Sequence, residues 1–200
     1  MKPKLINLAV FASGQGSNFS AIAKAVKQGR IKAQLKVLVC DNPQAPVVKR
    51  AQVARVQVVL VQREDFSSRL EFEAAIIQKL NNYKIDLIVL AGFMRLLSPV
   101  FVKRYRNRIM NIHPSLLPVF KGAHAIKDAF DSKAKVTGVT VHFVDEKVDH
   151  GPVILQQRIR VGEKDTLISL EKRIHSVEHK LYPKAIKLVI ANKIKSSRLN

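Results

Sequence analysis

Apolar residues along this 200-residue chain gather in short blocks separated by mixed polar stretches. Leu5 to Phe11, Leu35 to Asp41, Val56 to Val61 and Ile85 to Leu90 are rich in Val, Ile and Leu without clean alternation, the pattern of strands covered on both faces. Between the first two, Phe19, Ile22, Ala23 and Val26 keep a helical period, and Gly29 stands where that helix would stop. Ser68 and Glu71 form a candidate capping box for a helix running to about Asn81. Strands alternating with helices imply right-handed crossovers. The predicted fold class is therefore α/β: an open, mostly parallel twisted sheet with helices on both faces.

The second half is richer in strand. Arg108 to His113 reads as one, Val136 to Val144 alternates between two faces, and Val153 to Arg160 pairs beside it. A long C-terminal helix begins near Asp165, with Leu167, Leu170, Ile174, Val177 and Leu181 along one stripe. Pro183 is expected to interrupt it, and the basic tail from Lys187 to Asn200 to fray at its end. With no repeat and no Ser/Gly/Pro-rich linker, one domain over residues 1–200 is expected.

Composition narrows the class. A single cysteine, Cys40, supports neither an internal disulfide framework nor a cysteine zinc site and fits a reducing, cytoplasmic compartment. The uninterrupted apolar run Leu87 to Met94 is far shorter than the roughly 20 residues of a membrane-spanning helix. Lys2, Lys4 and the stretch to Ala12 have the outline of a secretory signal, but Asn7 breaks it and a glycine turn follows, so a first strand is the better reading. Thirty-five Lys and Arg against 15 Asp and Glu leave a formal charge of +20, which favours anionic partners. The cations are scattered and aromatics make up only 6%, so the pattern points away from a specific nucleic-acid site and toward a solvated surface or anionic small substrates.

Two groups of residues carry candidate chemistry. Ser13-Gly14-Gln15-Gly16-Ser17-Asn18 follows the first strand and opens the first helix, where backbone N–H groups suit a phosphate. Phe19 replaces the third glycine of a dinucleotide fingerprint, and the Gly-Lys-Ser/Thr of a P-loop is missing, which favours a monophosphate. An ordinary tight turn with Ser17 or Asn18 as N-cap explains the same residues. The second group is centred on Asn111 and His113, two apart on a strand, so both side chains point the same way about 6 to 7 Å apart. Pro114 keeps His113 extended at the strand's carboxyl end, where ligands of parallel sheets bind. Asp149, before His150-Gly151-Pro152, is a candidate to orient His113 or accept a proton, or only a turn former. His142 reads as a supporting hydrogen-bonded residue. A metal site of His113, His142 and Asp149 lacks any close ligand spacing, and none is expected.

His113-Pro114-Ser115-Leu116-Leu117-Pro118 with Gly122 following, Asn111 ahead of it and Asp149 behind, resembles the signature of the folate-dependent formyltransferase family. Ala91-Gly92-Phe93-Met94-Arg95 and Val141-His142-Phe143 extend the likeness over nearly the whole chain. The resemblance implies a Rossmann-like formyltransferase fold, with a phosphate-binding half over about 1–100 and a folate and catalytic half over about 101–200. It implies 10-formyltetrahydrofolate as co-substrate and, from the glycine loop, glycinamide ribonucleotide as acceptor in purine synthesis, in a monomer or homodimer. It implies that Asn111 and His113 stabilise an oxyanion while Asp149 keeps His113 placed. Gly16, Ser17 and Asn18 would hold the phosphate, and Glu178 the amino end. Arg69, Met94, Arg95, Leu96, Leu97, Asn111 and Val144 would meet the folate. From its place beside the last helix's apolar stripe, Glu178 is equally readable as half of a surface pair with a lysine. His150 and Lys121 depart from the family's usual glycine and proline. Methionyl-tRNA formyltransferase adds a C-terminal RNA-binding domain and formyltetrahydrofolate deformylase an N-terminal regulatory one, and the chain's length is expected to exclude both. A non-catalytic basic nucleotide- or RNA-binding module is the rival of a different class.

Overall fold

The Val, Ile and Leu blocks pair into one sheet, as their two-sided apolar character requires. The computed structural model describes residues 5–196, with side chains described through residue 192. The strands are β1 (Ile6–Phe11), β2 (Ala33–Cys40), β3 (Gln57–Leu60), β4 (Leu87–Leu90), β5 (Ile109–His113), β6 (Val136–Phe143) and β7 (Val153–Arg160). The helices are α1 (Ser17–Lys27), α2 (Pro46–Val53), α3 (Arg69–Asn81), α4 (Pro99–Arg104), α5 (Ala125–Asp131) and α6 (Leu167–Ser196). Strand order is β3-β2-β1-β4-β5-β6-β7. β1 to β5 run parallel, and β6 is antiparallel to both neighbours. This is the α/β architecture expected, with the chain reversing direction across the sheet between β1 and β4.

Alternate residues of each central strand feed opposite cores. Leu8 and Val10 pack with Phe19, Ile22, Val47 and Ile174 on the face of α1, α2 and α6, while Ala9 and Phe11 pack with Phe72, Ile76 and Phe101 on the face of α3 and α4. Each fully buried side chain of this size contributes about 1.5–3 kcal/mol. No helix of the described residues is long and apolar enough to cross a membrane.

Helix ends show where local chemistry was read well and where it was not. α1 closes as expected: Gly29 has φ 70° and donates to the Val26 carbonyl while Arg30 donates to that of Ala25, a Schellman closure. Its start differs, because Gly16 at φ 72° occupies the cap position and neither Ser17 nor Asn18 caps the helix. Ser68 does cap α3, accepting from the Glu71 N–H at 3.2 Å, but the Glu71 carboxylate reaches back to Ser67 instead of closing the box on Ser68. α2, α4 and α5 are 8, 6 and 7 residues long, too short to display a helical period.

Pro183 does not interrupt the last helix, which runs from Leu167 through Ser196. A proline inside a helix costs about 3 kcal/mol. Ala185, Ile186, Val189 and Ile190 beyond it are all buried, which outweighs that cost. The fraying expected at the end of the basic tail falls on residues 197–200, which lie outside the described ones. Directly before Pro183, the fully buried Tyr182 hydroxyl lies 2.8 Å from the Leu90 carbonyl and 3.1 Å from that of Met110, pinning α6 to β4 and β5. Tyr182→Phe is expected to lower unfolding free energy by about 1–3 kcal/mol in urea denaturation; an unchanged midpoint would show that this tie contributes nothing.

Candidate active site

β5 presents Asn111 and His113 on one side, and the antiparallel β6 places His142 opposite Asn111. The His142 Nδ1 lies 2.8 Å from the Phe143 carbonyl, an oxygen that only accepts, so Nδ1 carries the proton. Nε2 lies 3.3 Å from the Asn111 Nδ2 and 3.7 Å from Asp149 Oδ1, accepting from the amide in the neutral ring and donating to the carboxylate when the ring carries a second proton. His113, buried, donates from Nε2 to the Phe120 carbonyl at 2.7 Å, leaving Nδ1 to face Asp149 Oδ2 at 3.4 Å. Thr140 and Ser115 knit the segment after His113 in place, Thr140 Oγ1 donating to the Ser115 carbonyl and accepting from the Leu117 N–H.

Asp149 lies on the turn between β6 and β7 in the left-handed region, at φ 47°. Its Oδ2 accepts from the Gly122 N–H at 2.9 Å, and its Oδ1 lies 3.7 Å from His142 Nε2. Burial pushes the carboxyl's pKa up, but the His142 contact, the Gly122 N–H and the adjacent His113 outweigh it and hold it below the ordinary carboxylate range. Asn111, His113, His142 and Asp149, scattered over 39 positions, thus form one contiguous cluster. His150 turns away and pairs with Asp145 at 2.7 Å on the surface. Among the described residues no cluster of His, Cys, Asp and Glu is arranged to hold a metal ion.

The glycine loop is joined to α6. Asn18 Nδ2 donates to Glu178 Oε2 at 2.9 Å, and His175 Nδ1 lies 3.0 Å from the same oxygen. Glu178 is buried in this network and is no surface partner of a lysine. Its hydrogen bond raises the His175 pKa against the opposing effect of burial. Asn18 Oδ1 is buried without a hydrogen-bond partner among the described residues. Gly16 is required as glycine: its φ is 72°, and a Cβ there would meet Val47 Cγ2 at 2.4 Å.

The remaining candidates lie on the segment after β4, at the start of α3 and just after β6, where the Val144 N–H donates to the Ile109 carbonyl. Met94 and Leu96 stand exposed on the segment after β4, and Leu97 and Val144 pack partly against the α3 and α4 core. Arg95 is engaged by Asp41 at 2.6 Å and Glu64 at 3.2 Å. Arg69 opens α3 at the surface, and among the described residues no hydrogen bond or ion pair joins it to the cluster. A groove of about 1140 Å³ between α1 and α2 shares only Phe19 and Ser20 with the first turn after the glycine loop and none of the cluster. Sequence reasoning missed the Phe120 carbonyl, the Gly122 N–H, His175, Asp41 and the Ser13 hydroxyl, which accepts from the Met94 N–H at 2.9 Å. Backbone partners leave no mark in a sequence, and Asp41 was visible only as the end of an apolar run.

A sheet reversing between β1 and β4, with a glycine turn and an Asn, His and Asp cluster near its carboxyl edge, is the arrangement in which open α/β enzymes bind their ligands. The family model described as Formyl transferase matches residues 6–186, and the chain belongs to that family as a folate-dependent formyltransferase. It is 46% identical over 182 residues to the phosphoribosylglycinamide formyltransferase of Bacillus subtilis, covering 91% of this chain and 93% of that protein. The Escherichia coli protein of the same name is 38% identical, covering 90% and 85%. Among solved structures, glycinamide ribonucleotide transformylase 1 of Geobacillus kaustophilus superposes with a TM-score of 0.91 at 44% identity, covering 94% of this chain and 100% of that one.

Because the folded Asp149 pKa lies below its unfolded value, its stabilisation is complete above the unfolded value of about 3.9 and lost as pH falls through the lower folded one. Asp149→Asn is expected to lower the denaturation midpoint at pH 7, with the gap from wild type narrowing below about pH 4. A gap that stays constant down to pH 3 would contradict the charge-based account.

Proposed function

We propose that this chain transfers the formyl group of 10-formyltetrahydrofolate to the amine of glycinamide ribonucleotide, a step of purine synthesis. The observation that carries the reading is the convergence of Asn111, His113 and Asp149 at the carboxyl end of β5, in a chain whose relatives bear that activity in their names. The amine nitrogen attacks the formyl carbon, and the carbonyl electron pair moves onto oxygen. The Asn111 amide has one N–H committed to His142 and a second for that oxygen. His113 Nε2–H is the other donor. One preorganised donor of this kind is worth about 2.7–4 kcal/mol. Collapse of the intermediate breaks the bond to the folate nitrogen, which takes up a proton as the amine loses one. Asp149, held as a carboxylate, positions His113 and assists that transfer.

The geometry adds one requirement. The His113 Nε2–H already donates to the Phe120 carbonyl, so the formyl oxygen has to take the place of that carbonyl. Phe120 sits at φ 54° on the segment between β5 and α5, and productive binding entails a shift of this turn.

For the ribonucleotide, Gly16, Ser17 and Asn18 supply the phosphate turn, and Glu178 takes the amino end of the substrate. The buried, unpartnered Asn18 Oδ1 supports this placement, since an unsatisfied buried acceptor costs about 1–3 kcal/mol that a ligand's donor removes. The N-terminal half thus contributes the phosphate turn and the C-terminal half the catalytic cluster. Met94, Arg95, Leu96, Leu97, Val144 and Arg69 border the folate. The tetrahydrofolate supplies the activated formyl group, and the protein supplies placement and charge stabilisation.

An absorbance assay of folate product formation tests the reading. Asn111→Ala, His113→Ala and Asp149→Asn are each expected to lose about 100-fold or more in kcat while remaining folded. Full turnover by His113→Ala would sink the mechanism. Ser17→Asp is expected to raise KM for the ribonucleotide far more than for the folate, and equal effects on both would remove the phosphate from this loop.

A further inference from the structure

The segment linking β4 to α4, residues 91–98, carries exposed apolar side chains at Met94 and Leu96, 70% and 63% accessible. Apolar groups stay in water only where the backbone beneath them is held. Polar ties hold this one. Ser13 donates its N–H to the Gly92 carbonyl and accepts at Oγ from the Met94 N–H, both at 2.9 Å. Arg95, its side chain 39% exposed, reaches the buried Asp41 and the exposed Glu64. The tie at the far end is of another kind. Glu73 on α3, only 3% exposed, accepts the Ser98 N–H on Oε1 at 2.6 Å and the Ser98 hydroxyl on Oε2. Ser98 is itself 1% exposed, and its Oγ accepts from the Phe101 N–H, passing the constraint into the first turn of α4.

Glu73 shares its helix face with Phe72, Ile76 and Leu80, and among the described residues no Lys, Arg or His forms an ion pair with it. A carboxylate withdrawn from water without a cation is expensive, and it persists only where its oxygens are fully used. Here both oxygens are spent on one residue, Ser98. Packing α3 onto the sheet needs no carboxylate at this position, since an apolar side chain would fill it at lower cost. What the carboxylate adds is a fixed location for the end of the 91–98 segment.

We infer that Glu73 is a positioning residue for the folate side of the site: it holds Ser98, and through Ser98 the segment bearing Met94, Arg95, Leu96 and Leu97, in the shape that receives the pteridine. It touches no substrate. The inference rests on the folate contacts proposed above, because only they make the shape of this segment matter to the reaction. When the segment is released, the binding-competent fraction falls and apparent affinity falls in proportion.

The test compares Glu73→Gln, which keeps the volume but turns an NH2 group toward one Ser98 donor, with Ser98→Ala and the conservative Ser98→Thr. Hydrogen–deuterium exchange of the 91–98 amides in the free protein reads the segment directly. Calorimetry with 5,8-dideazafolate, which carries no formyl group, and separately with glycinamide ribonucleotide reads the two substrate sides. Glu73→Gln and Ser98→Ala are expected to exchange faster across 91–98 and to bind the folate probe about tenfold more weakly, with the ribonucleotide far less affected and Ser98→Thr near wild type. Unchanged exchange in both variants, or equal losses for both ligands, would overturn the inference. Should wild type itself ignore the folate probe, the functional reading falls, while the exchange data still decide whether Glu73 holds the segment.

Discussion

A parallel sheet covered on both faces leaves polar chemistry only its edges. In this protein β1, β2, β4 and β5 are covered on both faces, and most of the candidate functional side chains stand near the carboxyl ends of the strands or on the segments that leave them, with Glu178 reaching in from α6. The glycine turn leaves β1, Asp41 follows β2, the 91–98 segment leaves β4, and Asn111 and His113 close β5. Reversal of the strand order between β1 and β4 opens a crevice there, bordered by the glycine turn after β1 and the segment after β4.

Polar groups drawn into that crevice are costly unless satisfied, and the partners chosen are what fix the shape of the site. Asp149 is matched by a backbone N–H from Gly122 and by two imidazoles from different strands. Glu178 is matched by Asn18 and His175, Glu73 by Ser98, and the Tyr182 hydroxyl by carbonyls of β4 and β5. All four couple segments at least 25 positions apart in the chain, so losing one partner strands a buried group in addition to breaking a bond. Two features bear on the proposed reaction: among the described residues Asn18 Oδ1 lacks a donor, and the His113 Nε2–H is satisfied by a carbonyl whose place the substrate's oxygen would take.

The net charge of +20 lies mostly outside this crevice. Residues 5–63 hold nine Lys and Arg but one acid, Asp41, and the groove between α1 and α2 is bordered by Lys24, Lys27, Lys49, Arg50 and Arg55. Arg50 donates to the Gln15 carbonyl at 2.7 Å, carrying part of this charge onto the glycine turn. A field of this sign raises the local concentration of an anionic ribonucleotide without assigning it a binding pose.

Much of the molecule was legible in its residues because the signals were local. Two-sided apolar runs determined the strands to within about two residues, Gly29 ended α1, Ser68 capped α3, and the spacing of Asn111 and His113 put them on one face. Other features were legible in type but not in outcome. Pro183 marks a break until the burial of Ile186, Val189 and Ile190 is known, and Ser17 and Asn18 look like caps until Gly16 takes that position. Asp149 was legible as a partner of His113 only as one of two readings of its turn and through the family resemblance, and the contacts of Glu178 with Asn18 across 160 positions and of Glu73 with Ser98 were beyond reach of the sequence. Periodicity records which face of an element meets the core, a property of near neighbours along the chain. Which two distant elements meet, and at what register, is set by the packing of the whole sheet, and only the tertiary structure decided it.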